Sequence, residues 1–276
     1  DIKELNAGLH RQIIQEVEDA RREIARREEE SAKALRLAGE VQKNLLPRDH
    51  LTIGDLQVAG RNRPCKAIGG DYFDYLRHDP ACSACLSVVV GDISGHGVDA
   101  ALLMTSARGF LRTRVTQPGT AARIVTDMNR YLAEDVLDSG RFMTLFFLSI
   151  DPRRQEIHWV RAGHDPALVY RPSADRFETL RGEGMALGVD PRRDYAENVL
   201  GGLETGQLIV IATDGIFEAR DRQGGMFGRP RLQEIVHRCR RESAPAILDA
   251  VFESLARHTR GSPPEDDQTL VVIKNA

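Results

Sequence analysis

Long apolar runs are missing from this chain of 276 residues. None approaches the ~20 residues that a membrane-crossing helix needs, so no membrane contact is expected. Charge of one sign is also missing. The 38 Lys and Arg against 41 Asp and Glu leave a net charge of -3, without the basic field that draws nucleic acid. Cysteine is scarce: four residues do not suggest the disulfide framework of a small secreted domain, and a reducing cytoplasm is the expected compartment. Two of them stand as Cys82-Ser83-Ala84-Cys85, but no second Cys-x-x-Cys accompanies them. The segment between two apolar runs therefore reads as a hairpin loop rather than half a zinc site. The chain opens on Asp1 and lacks the basic, apolar, small-residue order of a secretion signal, so it is expected to be a piece of a longer protein. A glycine-rich phosphate loop of the GxxxxGKS kind is absent too, which speaks against a nucleotidyl enzyme.

What is present is the composition of a folded protein with a substantial core, 41% hydrophobic and 29% charged. Residues 1–46 stand apart. Ile2, Leu5, Leu9, Ile13, Val17, Ala20 and Ile24 recur at steps of three or four, with dense alternating charge and no proline. This predicts one long helix with a narrow apolar seam, resuming at Leu35, Ala38, Val41 and Leu45 and stopped by Pro47. Two readings stand: a parallel coiled coil that joins two chains, or a solvated helix lying along its own domain.

From residue 50 the pattern changes to short apolar runs bounded by Gly, Pro and Asp. DLQVAGR, YFDYL, CLSVVVGD, FMTLFFLSI, EIHWVRAG, ALVYR, RFETL, QLIVIATD and QTLVVIK read as nine strands. Helical patterns run from Val98 to Thr113, Ala121 to Leu137, Arg229 to Arg240 and Ala244 to His258. Clustered strands with paired helices predict an α+β fold, two packed antiparallel β-sheets flanked by helix pairs, rather than an alternating parallel sheet.

Four segments place Asp beside glycine or at the end of an apolar strand: GGDYFD (69–74), VVVGDISGHG (88–97), IVIATDGIFEA (209–219) and PPEDDQTLVVIK (263–274). Singly, each suits a turn or a helix cap. Jointly they mean more, because a carboxylate at a buried strand end is costly unless neutralised, and no regular Lys or Arg lies near in sequence. Two carboxylates about 4 Å apart repel by roughly 4 kcal/mol at an effective dielectric of about 20, so several converging on one point need cations. Oxygen ligands without a His or Cys set suit Mg²⁺ or Mn²⁺. Asp92 is then a metal ligand, and the glycines after it let the chain turn so that a backbone carbonyl also faces the ion.

In this order, GGDYFD, GDISGHGVDAALLM, FMTLFFLSID, RAGHDPALVY, ATDGIFEAR and EDDQTLVVI closely resemble the SpoIIE/RsbU-like bacterial branch of the metal-dependent PPM (type 2C) Ser/Thr protein phosphatases. The likeness runs from about Val41 to the C-terminus. It implies a phosphatase domain over 47–276 and two ions, Mn²⁺ or Mg²⁺, bound by Asp71, Asp92, the carbonyl of Ile93, Asp214 and Asp266. Asp267 competes with Asp266, since a shift of one residue would exchange them. Asp92 and Asp214 are the residues whose loss is expected to stop turnover. The resemblance further implies attack on phosphorus by a hydroxide bridging the metals, and a phosphoserine or phosphothreonine protein as substrate. The typical substrate is an anti-sigma-factor antagonist domain of the STAS-like kind. Residues 1–46 resemble linkers to upstream sensory or receiver domains, which implies a homodimer regulated through the helix. The rival reading is a catalytically weak module that binds a phosphoprotein through the same fold.

Several neighbours are weighed beside this set. His96 reads as a turn residue and His164 as a structural histidine near the site; a proton-transfer role is the lesser reading for both. Asp74 is either a supporting partner of the ligands or a turn residue. Arg61 or Arg63 is a candidate for binding phosphate. Asp165 and Met185 stand where the family pattern has other residues, so local loop shape and substrate fit are the features they put in question.

Overall fold

The structure, a computed structural model, describes residues 2–77 and 85–276, with the side chains of 1–7, 9 and 11 left aside. The loop expected around Cys82 lies outside the described residues; Cys85 is disulfide-bonded, while Cys65 and Cys239 are free. Among the described residues, a single helix, α1 (Ile2–Leu45), precedes eleven strands: β1 (His50–Ile53), β2 (Leu56–Arg63), β3 (Tyr72–Leu76), β4 (Leu86–Ile93), β5 (Met143–Asp151), β6 (Glu156–Ala162), β7 (Ala167–Arg171), β8 (Arg176–Leu180), β9 (Asn198–Gly201), β10 (Leu208–Ala212) and β11 (Gln268–Asn275). Between them lie α2 (Val98–Arg114), α3 (Ala121–Val136), the one-turn α4 (Asp214–Phe217), α5 (Gly228–Arg238) and α6 (Ala244–Thr259).

The strands form two sheets, ordered β1-β2-β11-β10-β7-β8 and β3-β4-β5-β6-β9, with antiparallel pairing throughout. The central strands read as unbroken apolar runs because both of their faces are buried. In β4, Val88 and Val90 enter the core between the sheets while Val89 packs under helices α2 and α3. In β11, Val271 and Ile273 face the other sheet while Leu270 and Val272 pack under α5 and α6. Each such side chain stabilises by roughly 1.5–3 kcal/mol when fully buried. The result is the four-layered helix–sheet–sheet–helix arrangement expected from the strand and helix order.

Two strands were not anticipated, β1 and β9. Each is four residues long and lies at a sheet edge, where half the residues face solvent and the apolar signal is too short to read.

Helix α1 extends about 66 Å at 1.5 Å per residue. Along it Ile13, Val17, Ile24 and Val41 are 45–61% exposed, so the seam is not covered by the rest of the described residues. Contact comes near its C-terminal end. A Cβ on Gly39 would sit 2.1 Å from the carbonyl oxygen of Ala67, and Leu46 packs against both the α2–α3 core and the inter-sheet core.

Candidate metal centre

Antiparallel pairing gathers the acidic segments at one end of the sandwich. Tyr72 at the start of β3 pairs with Gly91 near the end of β4, which brings Asp71 beside Asp92. Ala212 at the end of β10 pairs with Leu270 near the start of β11, which brings Asp214 beside Asp266 and Asp267. The two sheets deliver one pair of strand ends each.

Asp71 is 3% exposed. Its Oδ2 accepts hydrogen bonds from Thr269 Oγ1 at 2.6 Å and Thr213 Oγ1 at 2.9 Å. Burial, then the charges of Asp92 and Asp267, push its carboxyl well above the usual range, against the pull of the two threonines. Asp92 is raised to about 7 by burial first and then by Asp214, Asp266 and Asp267. Asp214, at the first position of α4, is raised by partial burial, Asp266 and Glu218. Among the described residues, no cation is among the largest influences on these three acids. The arrangement is therefore electrostatically incomplete by itself.

Asp267 behaves differently. Its Oδ1 accepts from the Cys65 backbone N–H at 2.8 Å, and its Oδ2 from those of Gly70 at 2.7 Å and Asp71 at 3.5 Å. It fastens the 64–71 loop to β11, while Asp266 is exposed. Glycine is required beside both groups: a Cβ on Gly70 would lie 2.9 Å from the carbonyl oxygen of Ile93, and one on Gly215 would lie 2.0 Å from that of Asp267. The Ile93 carbonyl thus faces the loop that carries Asp71.

The donor chemistry fits hard divalent ions. Cys65 Sγ lies with Asp266 and Asp267 oxygens inside 4.8 Å, but burial and both acids push its thiol up to about 11. Without an ion it is protonated, and the anionic donors are then all oxygens.

A pocket of ≈ 210 Å³ opens onto the centre, lined by Asp92, Thr144, Gly163, His164, Asp165, Asp214 and Glu218. His164 is buried, kept neutral with a pKa near 4 chiefly by that burial, and its Nδ1 meets Thr144 Oγ1 at 2.8 Å. Its Nε2 is buried without a hydrogen-bond partner among the described residues. His96 sits in a turn between Gly95 (φ 85) and Gly97 (φ 100), its Nδ1 3.1 Å from Lys66 Nζ.

Two expectations are corrected. Asp74 neither supports the ligands nor lies in a turn: it is fully buried within β3 and paired with Arg112 of α2 at 2.7 and 2.9 Å. Arg61 is committed elsewhere, bonded to Asp249 at 2.7 Å with its guanidinium over the Phe252 ring. Arg63 is exposed and lines a hollow beside α1, while its backbone pairs with Gln268, next to Asp267, and it stays a candidate for phosphate. Sequence reasoning did not single out Thr213, Thr269, Glu218 and Gln42. The two threonines had a visible signal, being polar residues beside the acids at the tips of apolar strands.

With this geometry in hand, comparison with known proteins defines the class. Residues 83–275 match the family model "Stage II sporulation protein E (SpoIIE)". Phosphoserine phosphatase RsbU of Bacillus subtilis is 26% identical over 252 residues, covering 90% of this chain and 71% of RsbU. The SiaA-PP2C domain of Pseudomonas aeruginosa superposes with a TM-score of 0.76 at 21% identity, over 90% of this chain and 98% of that one. RsbX, solved in complex with magnesium, gives a TM-score of 0.61 at 17% identity, over 82% of this chain and 98% of that one. The fold is that of the PP2C protein phosphatases. The chain belongs to the SpoIIE family.

Proposed function

We propose that this protein phosphatase removes phosphate from phosphoserine or phosphothreonine of a signalling protein, using two divalent ions, Mn²⁺ or Mg²⁺, held by Asp71, Asp92, Asp214, Asp266 and the carbonyl of Ile93. The observation that carries this is the convergence of acids from both sheets, with no cation of the described residues among the largest influences on Asp71, Asp92 or Asp214. When bound, the ions supply Lewis acidity that activates water and neutralises phosphoryl oxygens. The protein's own groups do the rest. Thr213 and Thr269 orient Asp71, Asp267 closes the loop that carries it, and the His164–Thr144 contact fixes the wall opposite Asp214.

The substrate that suits the family resemblance is an anti-sigma-factor antagonist of the STAS-like kind. Residues 1–46 serve as a linker to an upstream sensory or receiver domain, and a parallel coiled coil through the exposed seam of α1 makes the protein a homodimer. Regulation through α1 has a physical route. Gln42 grips both backbone groups of Gly69, donating from Nε2 to its carbonyl at 2.7 Å and accepting its N–H at 3.1 Å. Gly69 lies two residues before Asp71, so a shift of α1 moves the ligand loop.

The test is phosphate release from p-nitrophenyl phosphate and a phosphoserine peptide, with and without Mn²⁺, for the native chain and Asp92→Asn. Metal-dependent release lost in the variant is the expected result. Saturable phosphopeptide binding without release from either protein would favour the binding-module reading instead.

A further inference from the structure

Across the turn of His164, Asp165 and Pro166 from the catalytic pocket lies a wider groove of ≈ 720 Å³, whose lining includes Arg161, Arg181, Arg229, Thr179, Glu183 and Asn198. Its charge differs from that of the metal centre: three guanidinium groups and one carboxylate, Glu183, line it, and one of the three, Arg229, is shared with Asp165 at its margin. Arg161 donates from Nε and Nη1 to the carbonyls of Gly182 and His164, both at 2.7 Å, contacts that hold it in place without cancelling its charge or using all five of its N–H donors. Arg181 is exposed, its Nε donating to Thr179 Oγ1 at 3.3 Å. Arg229 pairs with Asp165 of the catalytic pocket and lies over the Phe217 ring at 4.7 Å.

The backbone that displays these groups is fixed in place. Trp159 Nε1 donates to the Arg181 carbonyl at 2.6 Å, and a Cβ on Gly182 would approach Asn198 Nδ2 to 2.9 Å. The groove also runs along two strands that end their sheets. Thr179 lies on β8, the last strand of the six-stranded sheet, and Asn198 opens β9, the last of the five-stranded sheet. Edge strands offer backbone N–H and C=O groups to an added extended chain.

We infer that this groove takes an extended acidic segment flanking the phosphorylated residue of the protein substrate, with the edges of β8 and β9 engaging its backbone and Arg161, Arg181 and Arg229 its carboxylates. This deepens the phosphatase reading and rests on it. An acidic flank held here carries its phosphoryl group past Pro166 and Asp165 towards Asp92 and Asp214. The arginines attract a substrate that the acid-rich pocket alone would repel.

The experiment compares three phosphoserine peptides of equal length with acidic, neutral or basic flanks, on the native chain and on Arg181→Glu. Each kcat/KM is divided by the same protein's kcat/KM for p-nitrophenyl phosphate, which has no flank. The native chain should prefer the acidic over the basic peptide by about fivefold, mainly through KM and less at high salt, the scale of one or two solvent-exposed ion pairs. Arg181→Glu should erase or invert that order. An unchanged order in the variant, or no preference in the native chain, overturns the assignment. If p-nitrophenyl phosphate itself is not hydrolysed, the catalytic reading has failed separately. Fluorescence anisotropy of a labelled acidic peptide then decides the groove: salt-sensitive binding lost in Arg181→Glu supports it, and absent or equal binding overturns it.

Discussion

Asp71 and Asp74 are three residues apart on one hairpin arm and are 3% and 0% exposed, yet they sit in opposite electrostatic situations. Asp74 has a guanidinium on both oxygens, from Arg112, and the Tyr72 hydroxyl at 2.9 Å. Asp71 has two threonine hydroxyls and the repulsion of Asp92 and Asp267. Burial of an acid therefore does not by itself mark a metal ligand. What sets Asp71, a proposed ligand, apart from Asp74 is burial beside other acids with no ion pair among the described residues to relieve it.

The largest effects separate these two kinds of acid. Asp92→Asn should lower metal-dependent turnover on the order of a thousandfold, since a ligand lost costs several kcal/mol of transition-state stabilisation, while thermal unfolding shows the fold retained. Asp74→Asn should do the reverse, lowering stability by about 2–3 kcal/mol as a buried charged pair is broken, with turnover per folded molecule nearly intact. If Asp74→Asn instead abolished turnover at full stability, the division between the two acids would collapse. Thr269→Ala comes next. Loss of the 2.6 Å bond to Asp71 should reduce activity or metal affinity about 10- to 100-fold, as for other groups that orient ligands; a metal titration of activity reads it.

Sequence shows one half of this contrast and hides the other. All nine expected strands are present, and the four long helices beyond α1 match to within two residues at each end, because period-two and period-3.6 patterns are local. The acids were legible for the same reason: each ends an apolar strand. The pairing of Asp74 with Arg112 was not, because Arg112 lies 38 positions away on a helix that crosses β3 only after folding. Arg61 misled for a similar reason. It was a candidate by residue type, since an arginine can bind phosphate, but its partner Asp249 is 188 positions distant. Asp266 and Asp267 looked interchangeable in sequence and differ only in what meets them, open pocket for one and the backbone of the 64–71 loop for the other.

A pH series sharpens the contrast with a smaller effect. In chelator, Asp92 has a folded pKa of about 7 against an ordinary 3.8, so the folded state binds the extra proton. Its contribution to stability is full below pH ~4 and is lost as pH rises through about 7. The melting temperature of the native chain relative to Asp92→Asn should therefore fall between pH 5 and pH 8 without metal. Saturating Mn²⁺ should abolish or reverse that trend, since the ions favour the ionised carboxylates. A difference independent of pH in chelator would mean that the acids near Asp92 are screened from one another.

The smallest expected effect concerns α1, which touches the ligand loop while leaving its own seam exposed. Gln42→Ala removes two hydrogen bonds to Gly69, each contributing about 1 kcal/mol, and the loss falls on the loop that presents Asp71 rather than on any ligand. The Mn²⁺ concentration for half-maximal phosphate release should therefore rise severalfold, with the maximal rate at saturating metal largely recovered. Deletion of residues 1–40 keeps Gln42 but removes the lever that positions it, and should shift the same midpoint without touching the ligands. A midpoint unmoved by both changes would leave Gln42 as a fastener of the loop and remove α1 from control of the metal centre.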